Sequence, residues 1–232
     1  EIGSGLVGSE MCIRDRYKGV LPVDKKHSKL ERSYGLNWDV NYVTSLCDDR
    51  VSFSVNQLFF YTYLQSPLFL RELEGGLYQL EQSGHMATRG GETNVKIGYE
   101  DLHLYVGYTF TDAGTHEAGG GCHENTLVPK HRINAVLMYE VEDKWRIGLE
   151  SYYFSSQKLN DSSRGKAYMI CGFMIEKIWE NFSLFANFEN FTDRRQTHFD
   201  TINTGSITHP VFRDIYAPLD GFVMNGGVKL RF

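Results

Sequence analysis

The stretch TNVKIGYEDLHLYVGYTF, residues 93–110, decides the fold that we predict for this chain. On both sides of Glu100 and Asp101, apolar or aromatic residues alternate with polar residues or Gly. Such alternation is typical of a β-strand whose two faces meet different surroundings. The two acidic residues between the runs suit a tight turn. The stretch therefore predicts two antiparallel strands that are joined by a short connection.

The same alternation recurs along most of the chain from Arg32 onward. It predicts about nine strands, each near the length that a tilted strand needs to cross a bilayer. Their clearest segments are residues 36–42, 51–55, 93–99, 102–110, 133–141, 145–149, 167–176, 182–188 and 222–232. Repeated strands of this kind indicate an all-β, antiparallel, up-and-down sheet.

The connections between the predicted strands alternate between short and long. The short ones are residues 47–50, 100–101, 142–144 and 180–181. The long ones are residues 65–84, 112–130, 155–166 and 193–221. Bacterial outer-membrane barrels have this asymmetry, with short turns on the periplasmic rim and long loops outside. The lengths therefore favour a barrel in which all the long loops lie on one rim.

Aromatic residues cluster near the ends of the predicted strands. Beside the short turns they are Tyr99, Tyr139, Trp145, Trp179 and Phe182. Toward the long loops they are Tyr61, Tyr63, Tyr108, Phe110 and Tyr153. Two such girdles are expected where rings lie at the two membrane–water interfaces. Alternation alone fits a soluble β-sandwich as well, but the girdles and the long loops favour a transmembrane β-barrel.

The polar side of the predicted strands carries charges of both signs, which suits the wall of a water-filled lumen. These residues are Glu92, Lys96, Arg132, Glu140, Arg146, Glu150, Glu176, Glu189, Lys229 and Arg231. We expect Arg146 to pair with Glu150 and Lys229 to pair with Glu189. Stabilisation of the wall is the simplest interpretation of such pairs.

Composition and motifs exclude several classes of function. The chain has 232 residues and a net charge of −5, so it lacks the basic balance of nucleic-acid-binding proteins. It contains no Gly-rich phosphate loop, nucleophile elbow or His-Glu-x-x-His motif, and we predict neither an enzyme nor a bound cofactor. Its 4 Cys share no metal-site spacing, although Cys122 and His123 adjoin near His116. We therefore predict no metal site.

The first residues of the chain, EIGSGLVGSEMCIRDR, show neither a helical period nor a strand period. The stretch VGSEMCIRDR resembles translated sequencing-adapter text, so we expect residues 1–16 not to belong to the native protein. We also expect the native chain to begin further upstream. This would make residues 17–232 the C-terminal part of a longer protein.

Several segments resemble the TonB-dependent outer-membrane receptors. SLFANFENFTDRRQTHFDTINTG (residues 183–205) and HPVFRDIYAPLDGFVMNGGVKLRF (residues 209–232) are similar to the end of the receptor barrel. TRGGETNVKIGYEDLHLYVGYTFTDA (residues 88–113) resembles a mid-barrel hairpin of the family. LVPKHRINAVLMYE (residues 127–140) resembles the strand that follows this hairpin. The resemblance covers roughly residues 17–232.

The resemblance implies that residues 17–232 form about nine C-terminal strands of a 22-stranded barrel, without its plug domain. It implies active import of a ferric siderophore, haem, cobalamin or glycan across the outer membrane of a Gram-negative bacterium. The implied partners are outer-membrane lipid, a small-molecule ligand, the barrel-assembly machinery and, through the missing N-terminal part, the TonB complex. Nucleic acid is not an expected partner, and the barrel is expected to be monomeric.

The long loops supply the candidate ligand contacts, because they are polar and reach outside the barrel. The candidates are His116, His123, Arg194, Arg195, His198 and His209, which are able to meet an anionic or metal-chelate ligand. The last strand is expected to close the barrel and to be read by the assembly machinery. Its alternating residues are Phe222, Met224, Val228, Leu230 and Phe232.

Two other functions fit the same residues. A passive porin or a surface-binding barrel shares every lipid-facing feature, and only the upstream plug and TonB segment distinguish the importer from it. A soluble extracellular β-sandwich that binds a ligand shares the alternation, but it requires the apolar face to be buried in a core.

Overall fold

The computed structural model describes residues 20–21, 29–48, 50–73, 77–116 and 121–231, so residues 1–16 and Phe232 lie outside the described residues. Within these ranges it has seventeen strands and one short helix. They are β1 (Val20–Leu21), β2 (Arg32–Leu46), β3 (Val51–Gln65), β4 (Leu68–Glu72), β5 (Tyr78–Gln82), β6 (His85–Tyr99), β7 (Leu102–His116), β8 (Cys122–Glu124), β9 (His131–Val141), β10 (Trp145–Phe154), β11 (Gln157–Lys158), β12 (Arg164–Gly165), β13 (Tyr168–Ile178), β14 (Phe182–Glu189), α1 (Gln196–Phe199), β15 (Asn203–Ser206), β16 (His209–Phe212) and β17 (Val223–Leu230). In this part of the chain, no helix has the length and apolar character needed to cross a membrane.

Nine of the strands form one antiparallel up-and-down sheet, as the alternation predicts. Their spatial order is β17-β14-β13-β10-β9-β7-β6-β3-β2, and β8 adds a short tenth strand beside β7. Neighbours in this order are also neighbours among the long strands of the sequence. Hairpin connections alone therefore build the sheet, which confirms the predicted fold class.

The connections have the predicted asymmetry. The short turns occupy residues 47–50, 100–101, 142–144 and 179–181, and the long connections occupy residues 66–84, 117–130, 155–167 and 190–222. Three short turns contain residues with positive φ, among them Asp48 (54°), Glu100 (50°) and Asp143 (53°). Short polar side chains tolerate this left-handed backbone better than β-branched ones, so acidic residues suit these positions.

The first four long strands extend further than the apolar alternation indicates. β2, β3, β6 and β7 each have 15 residues. β7 continues to His116, whereas the predicted loop begins at residue 112. The extension is held by main-chain pairing with β8 and by a hydrogen bond from the N–H of Asn125, just after β8, to the Ala113 carbonyl (3.0 Å). Because main-chain pairing does not need an apolar side chain, the sequence pattern ends before the strand does.

The chain divides into two compact units. One unit comprises the described residues within 1–35, 62–87 and 114–123, and in it β5 pairs with β1 in parallel and with β4 in antiparallel orientation. The other unit comprises residues 36–61, 88–113 and 124–232 and contains β9 to β17. The second unit carries the main apolar and polar faces of the sheet.

The apolar face of the sheet is exposed. Cross-strand register places Leu137 opposite Leu149, and Leu149 opposite Phe173. Leu137 is 38% exposed and Leu149 is 43% exposed, although both lie in the middle of their strands. The buried apolar residues in the described part are few, and they include Ala113, Leu159, Tyr168, Cys171, Ile178, Ala217 and Pro67. A sandwich would bury its apolar face against a second sheet, and the described residues form none there.

Candidate ligand-contacting face and loops

A charged network lies on the polar face near the short turns. The Arg146 guanidinium is 2.6 Å from Glu140 Oε1 and 3.9 Å from Glu176 Oε2. Lys229 Nζ is 3.0 Å from Glu176 Oε1, which also accepts a hydrogen bond from the Ser183 hydroxyl (2.6 Å). The Glu176 side chain is only 6% exposed. Because a nearly buried carboxylate requires partners, these contacts hold β9, β10, β13, β14 and β17 in register.

The predicted ion pairs on this face are wrong. Arg146 and Glu150 are four residues apart on one strand, a separation of about 13 Å. Register instead places Arg146 directly opposite Glu140 and Glu176 on the two neighbouring strands. Lys229 lies near the end of β17, whereas Glu189 pairs with the first residue of that strand. Cross-strand register therefore decides the pairing, and one strand read alone does not contain it.

A cavity of about 580 Å³ opens along the polar face beside these strands. Its polar lining includes Glu150, Tyr152, Asn187, Glu189, Asn190 and Asp220, and its apolar lining includes Val136, Met138, Ile170 and Met174. Asn187 donates to the Asn225 side chain (3.0 Å), but its Oδ1 atom is buried without a partner in the described residues. The lining thus presents acceptor oxygens beside apolar surface and contains no Lys or Arg among the described residues.

The two longest connections of the second unit are joined into one loop assembly, which we define as residues 157–166 together with residues 190–222. Gln196, which is 0% exposed, lies at its centre. Its side chain donates to the Asp214 carbonyl (2.8 Å) and accepts from the N–H groups of Tyr216 (2.8 Å) and Ala217 (3.1 Å). One amide side chain thereby satisfies three main-chain groups of the segment 214–217.

Arg213 connects the two halves of the loop assembly. It contacts Asp161 (3.1 Å) and Ser163 (2.6 Å) in one half and Asp200 (3.1 Å) in the other. The Tyr216 hydroxyl also donates to Asp200 (2.5 Å). The bonds of Arg213 to Asp161 and Ser163 join segments about fifty residues apart in the sequence. Polar side chains therefore cross-link the assembly, which also buries Leu159 and Ala217.

Asp200 and Tyr216, which share a hydrogen bond, both have shifted pKa values. Burial is the largest influence on Asp200 and raises its pKa. Its hydrogen bonds from Tyr216 and Thr201, with the charges of Arg213 and Lys166, outweigh burial, so the net pKa of Asp200 is lowered. Burial and the hydrogen bond to Asp200 raise the pKa of Tyr216 to about 12. The carboxylate and the neutral phenol are thus the favoured partners at neutral pH.

Three of the predicted ligand-contact residues lie together at the start of this assembly. Arg195 forms a two-pronged contact with Asp193 (2.9 and 2.7 Å), and His198 Nδ1 lies 3.9 Å from the same carboxylate. The hydrogen bond from Arg195 lowers the pKa of Asp193. The Arg194 side chain does not join this contact, because its guanidinium packs on the Phe199 ring, 4.2 Å from the ring centre. The structure therefore gives the two adjacent arginines different surroundings.

The other predicted contact residues lie apart from this group. His209 begins β16 on an exposed hairpin, where its N–H donates to the Ser206 hydroxyl (3.2 Å). His116 and His123 belong to the other unit. There His116 stacks on His85 with ring centres 4.5 Å apart, and its Nδ1 atom is buried without a partner in the described part. His123 is exposed on β8.

The predicted closure strand is present as β17. It pairs with β14 along its whole length and is an end strand of the sheet in the described residues. Its outward residues Met224, Val228 and Leu230 are exposed, as is Phe222 just before the strand. This arrangement leaves one edge and one apolar face of β17 available, which is what a closing strand requires.

Sequence reasoning missed the residues that organise the loops. Gln196, Asp200, Arg213 and Tyr216 follow no period and no known motif spacing. Their importance depends on contacts between segments far apart in the chain, such as the hydrogen bond from the Lys166 N–H to the Tyr216 hydroxyl (2.8 Å). In the described residues, no group of three or more His, Cys, Asp or Glu side chains is placed to hold a metal ion.

The fold is an antiparallel up-and-down sheet with one exposed apolar face and one polar face. No family model and no curated protein sequence matches the chain. Among solved structures, the FrpB iron transporter from Neisseria meningitidis (F3-3 variant) is similar with a TM-score of 0.61 and 13% identity, over 93% of this chain and 32% of that protein. The copper transporter OprC is similar with a TM-score of 0.63 and 14% identity, over 87% of this chain and 31% of that protein. The pyoverdine outer membrane receptor FpvA from Pseudomonas aeruginosa PAO1 is similar with a TM-score of 0.54 and 17% identity, over 86% of this chain and 30% of that protein.

These similarities establish the fold. At 13–17% sequence identity, these similarities do not by themselves establish a function for this chain. The chain spans less than a third of the length of each of these proteins. The likeness to TonB-dependent receptor barrels that the residues predict is thereby confirmed at the level of the fold.

Proposed function

We propose that this chain forms part of the wall of an outer-membrane β-barrel receptor of the TonB-dependent class, which imports a scarce ligand. The observation that carries the proposal is the exposed apolar face of the nine-stranded sheet. The opposite face carries a charged network and a polar cavity. Only surroundings that are hydrocarbon on one side and water on the other stabilise both faces at once.

The rim beside the short turns supports this orientation. Trp179 stacks on Phe182 with ring centres 4.7 Å apart, and both side chains are exposed. Lys177 Nζ lies 4.3 Å from the Trp145 ring centre and 5.7 Å from that of Trp179. Exposed indole rings beside a Lys suit the headgroup layer of a bilayer, where one side of each ring meets hydrocarbon and the other meets polar groups.

The cavity on the polar face supports a small-molecule cargo. Its volume of about 580 Å³ lies in the range of small-molecule sites, and it combines apolar side chains with acceptor oxygens. The similar structures include an iron transporter, a copper transporter and a pyoverdine receptor. A metal ion or metal complex is therefore the cargo class that we favour among ferric siderophores, haem, cobalamin and glycans.

We extend the proposal to the role, the energy source, the assembly, the oligomeric state and the location of the barrel. The role is transport and not catalysis. The energy for import comes from the TonB complex through sequence outside this chain. The barrel-assembly machinery recognises the β17 edge, and the barrel acts as a monomer in the outer membrane of a Gram-negative bacterium.

Membrane fractionation tests the location directly. We expect the complete gene product that contains this chain to remain in the outer-membrane fraction after a sodium carbonate wash. We also expect its gel mobility to change on heating, as for other stable barrels. Recovery of a monomeric, folded protein from the aqueous fraction would support the soluble sandwich and would contradict the proposal.

An uptake experiment separates the importer from a passive barrel. Deleting the gene should abolish growth on the cognate iron or copper source at limiting concentration, and dissipating the proton gradient should stop accumulation of the labelled metal. Accumulation that continues at the same rate without the gradient would identify a porin instead.

A further inference from the structure

The carboxylates of the polar face fall into two groups. Near the short turns, Glu140 and Glu176 each have a basic partner on a neighbouring strand. Further toward the long loops, Glu150 and Glu189 line the cavity of about 580 Å³. Within the described residues neither of these two has a Lys or Arg at ion-pair distance, and the lining itself contains no basic residue. The wall of the cavity therefore carries negative charge that it does not neutralise.

The Glu150 side chain is fixed above a glycine. The Tyr152 hydroxyl donates to Glu150 Oε2 (3.0 Å). Register places Glu150 directly opposite Gly172 on β13. A Cβ atom at position 172 would lie only 2.8 Å from Glu150 Cγ and would also meet Oε1. Because Gly172 has no side chain, the carboxylate lies across β13 with Oε1 on the cavity side.

A second carboxylate stands on the other side of the same glycine. The β13–β14 ladder, continued by one position, places Glu189 level with Gly172. Since neighbouring strands are about 4.8 Å apart, the main chains of Glu150 and Glu189 are about 10 Å apart on one face. Glu189 Oε1 accepts a hydrogen bond from the Asn225 side chain (3.2 Å). The two carboxylates thus flank Gly172, and each is held by a neutral donor.

An amide oxygen in the same cavity has no donor. Asn187 lines the cavity, and its Nδ2 group donates to Asn225 Oδ1 (3.0 Å). Its own Oδ1 atom is buried and has no hydrogen-bond partner within the described residues. A buried acceptor without a donor is costly, so this atom points to a donor that a bound molecule supplies.

The remaining lining decides which molecules the cavity accepts. Val136, Met138, Ile170 and Met174 give it apolar surface beside the acceptor oxygens. An organic cargo that fills the cavity removes water from the carboxylates, which is unfavourable unless the cargo brings a compensating charge. A cargo with carboxylates of its own is repelled. An ammonium group offers three donors and one positive charge, and it satisfies both requirements.

We propose that this cavity binds a protonated amine on the cargo, and that the cargo is a metal chelate with a free ammonium arm. Glu150 is the principal contact of the ammonium group, and Glu189 and Asn187 Oδ1 are the further acceptors. The inference rests on the proposed import function and narrows its cargo class. It disfavours haem among the classes considered above, because the carboxylates of haem would meet those of the wall.

The test uses the complete gene product in detergent micelles at neutral pH. The probes are ferric desferrioxamine B, a hydroxamate chelate with one free ammonium arm, and its N-acetylated form, which keeps the chelate and loses the charge. Titration calorimetry measures the Kd of each. We expect the native protein to bind the ammonium form about tenfold more tightly, as a charge-assisted hydrogen bond would give.

Glu150→Gln should remove most of this preference. Glu92→Gln is the matched control and should leave it unchanged. Glu92 lies on the polar face outside the cavity, and it accepts from Asn94 two positions along its strand (2.6 Å), as Glu150 accepts from Tyr152. The heat-dependent gel shift shows that each variant is folded.

A second variant moves the carboxylate without changing the charge. Gly172→Ala displaces the Glu150 side chain and should also reduce the preference. Gly114→Ala adds the same methyl group outside the cavity, with its nearest neighbouring atom at 3.5 Å, and should have no effect.

Four results would each overturn the inference. They are equal or reversed affinities for the two chelates in the native protein, no binding of either chelate, an unchanged preference in Glu150→Gln, and an unchanged preference in Gly172→Ala. None of them alters the membrane fractionation or the gradient-dependent uptake, which test the proposed function. Recovery of the folded protein from the aqueous fraction would overturn the proposed function and this inference with it.

Discussion

The sheet and the loop assembly use different means to fix one conformation. In β9, β10, β13 and β14, each residue repeats the environment of the residue two positions away, and main-chain pairing with both neighbours defines the register. In the loop assembly, the Gln196 side chain satisfies three main-chain groups of residues 214–217, and Arg213 contacts two separate segments. The sheet therefore tolerates substitutions that preserve the apolar or polar character of a position. The conformation of the loop assembly depends instead on the hydrogen bonds of a few individual side chains.

The largest expected effect concerns the two faces of one strand. Leu137 and Val136 are adjacent on β9, with Leu137 on the apolar face and Val136 lining the polar cavity. Leu137→Arg should lower the free energy of unfolding by about 2–4 kcal/mol in lipid vesicles, because it places a charge in hydrocarbon. Val136→Arg is the matched control, since Val136 lies opposite Glu150 across the β9–β10 pair.

Urea titration of the refolded, vesicle-inserted protein measures both variants. We expect Val136→Arg to remain within about 1 kcal/mol of the native protein, because its new charge meets a carboxylate and water. Equal destabilisation by the two substitutions would mean that both faces have the same surroundings, and the distinction between the faces would be lost.

The second effect tests whether the loop assembly depends on one amide. Gln196→Ala leaves the buried N–H of Ala217 and the N–H of Tyr216 without their acceptor, at a cost of about 1–3 kcal/mol. Hydrogen exchange of these amides should become faster, whereas exchange in β10 should not change. Thr197→Ala changes the exposed neighbouring residue and serves as the control. Unchanged exchange in Gln196→Ala would show that other contacts hold the loops.

The sequence predicts the sheet well because the period of two is repeated in every strand. The nine strands, the short turns and the placement of the long loops on one rim all follow from residues close together in the chain. The ion pair of Arg146 with Glu140 does not, because it depends on the register between strands. The contacts of Gln196 and Arg213 depend on loops that meet only after the sheet has formed. Local patterns therefore predict the wall, and its polar contacts require the tertiary structure.

A smaller effect distinguishes the two regions by pH. The folded pKa of Asp200 is below its ordinary value of 3.8, so Asp200 stabilises the loop assembly above that pH, and this contribution is lost as the pH falls through the folded value. The pKa of Tyr216 is raised from 10.0 to about 12, so its contribution is lost as the pH rises through that range. The loop assembly should therefore become less stable at both low and high pH.

A nitroxide label at Thr197→Cys, with the other cysteines replaced by Ser, reports loop mobility across this pH range. We expect mobility to increase below pH 3.8 and again between pH 10 and about 12. Asp200→Asn should be more mobile at neutral pH and should show a smaller change in acid. Tyr216→Phe should lose the alkaline change, and an identical profile for all three proteins would contradict the assigned roles.

The smallest expected effect lies in the charged network of the polar face. Lys229 is 58% exposed on its side chain, and its partner Glu176 keeps the Ser183 hydroxyl when Lys229 is replaced. Lys229→Met should therefore lower the free energy of unfolding by only about 0.5–1 kcal/mol, and high salt should remove the difference. Lys229→Arg, which keeps the charge, should match the native protein at low salt. A loss as large as that of Leu137→Arg would mean that this polar face is as dry as the apolar one, since only a water-free pair leaves such a penalty when one partner is removed.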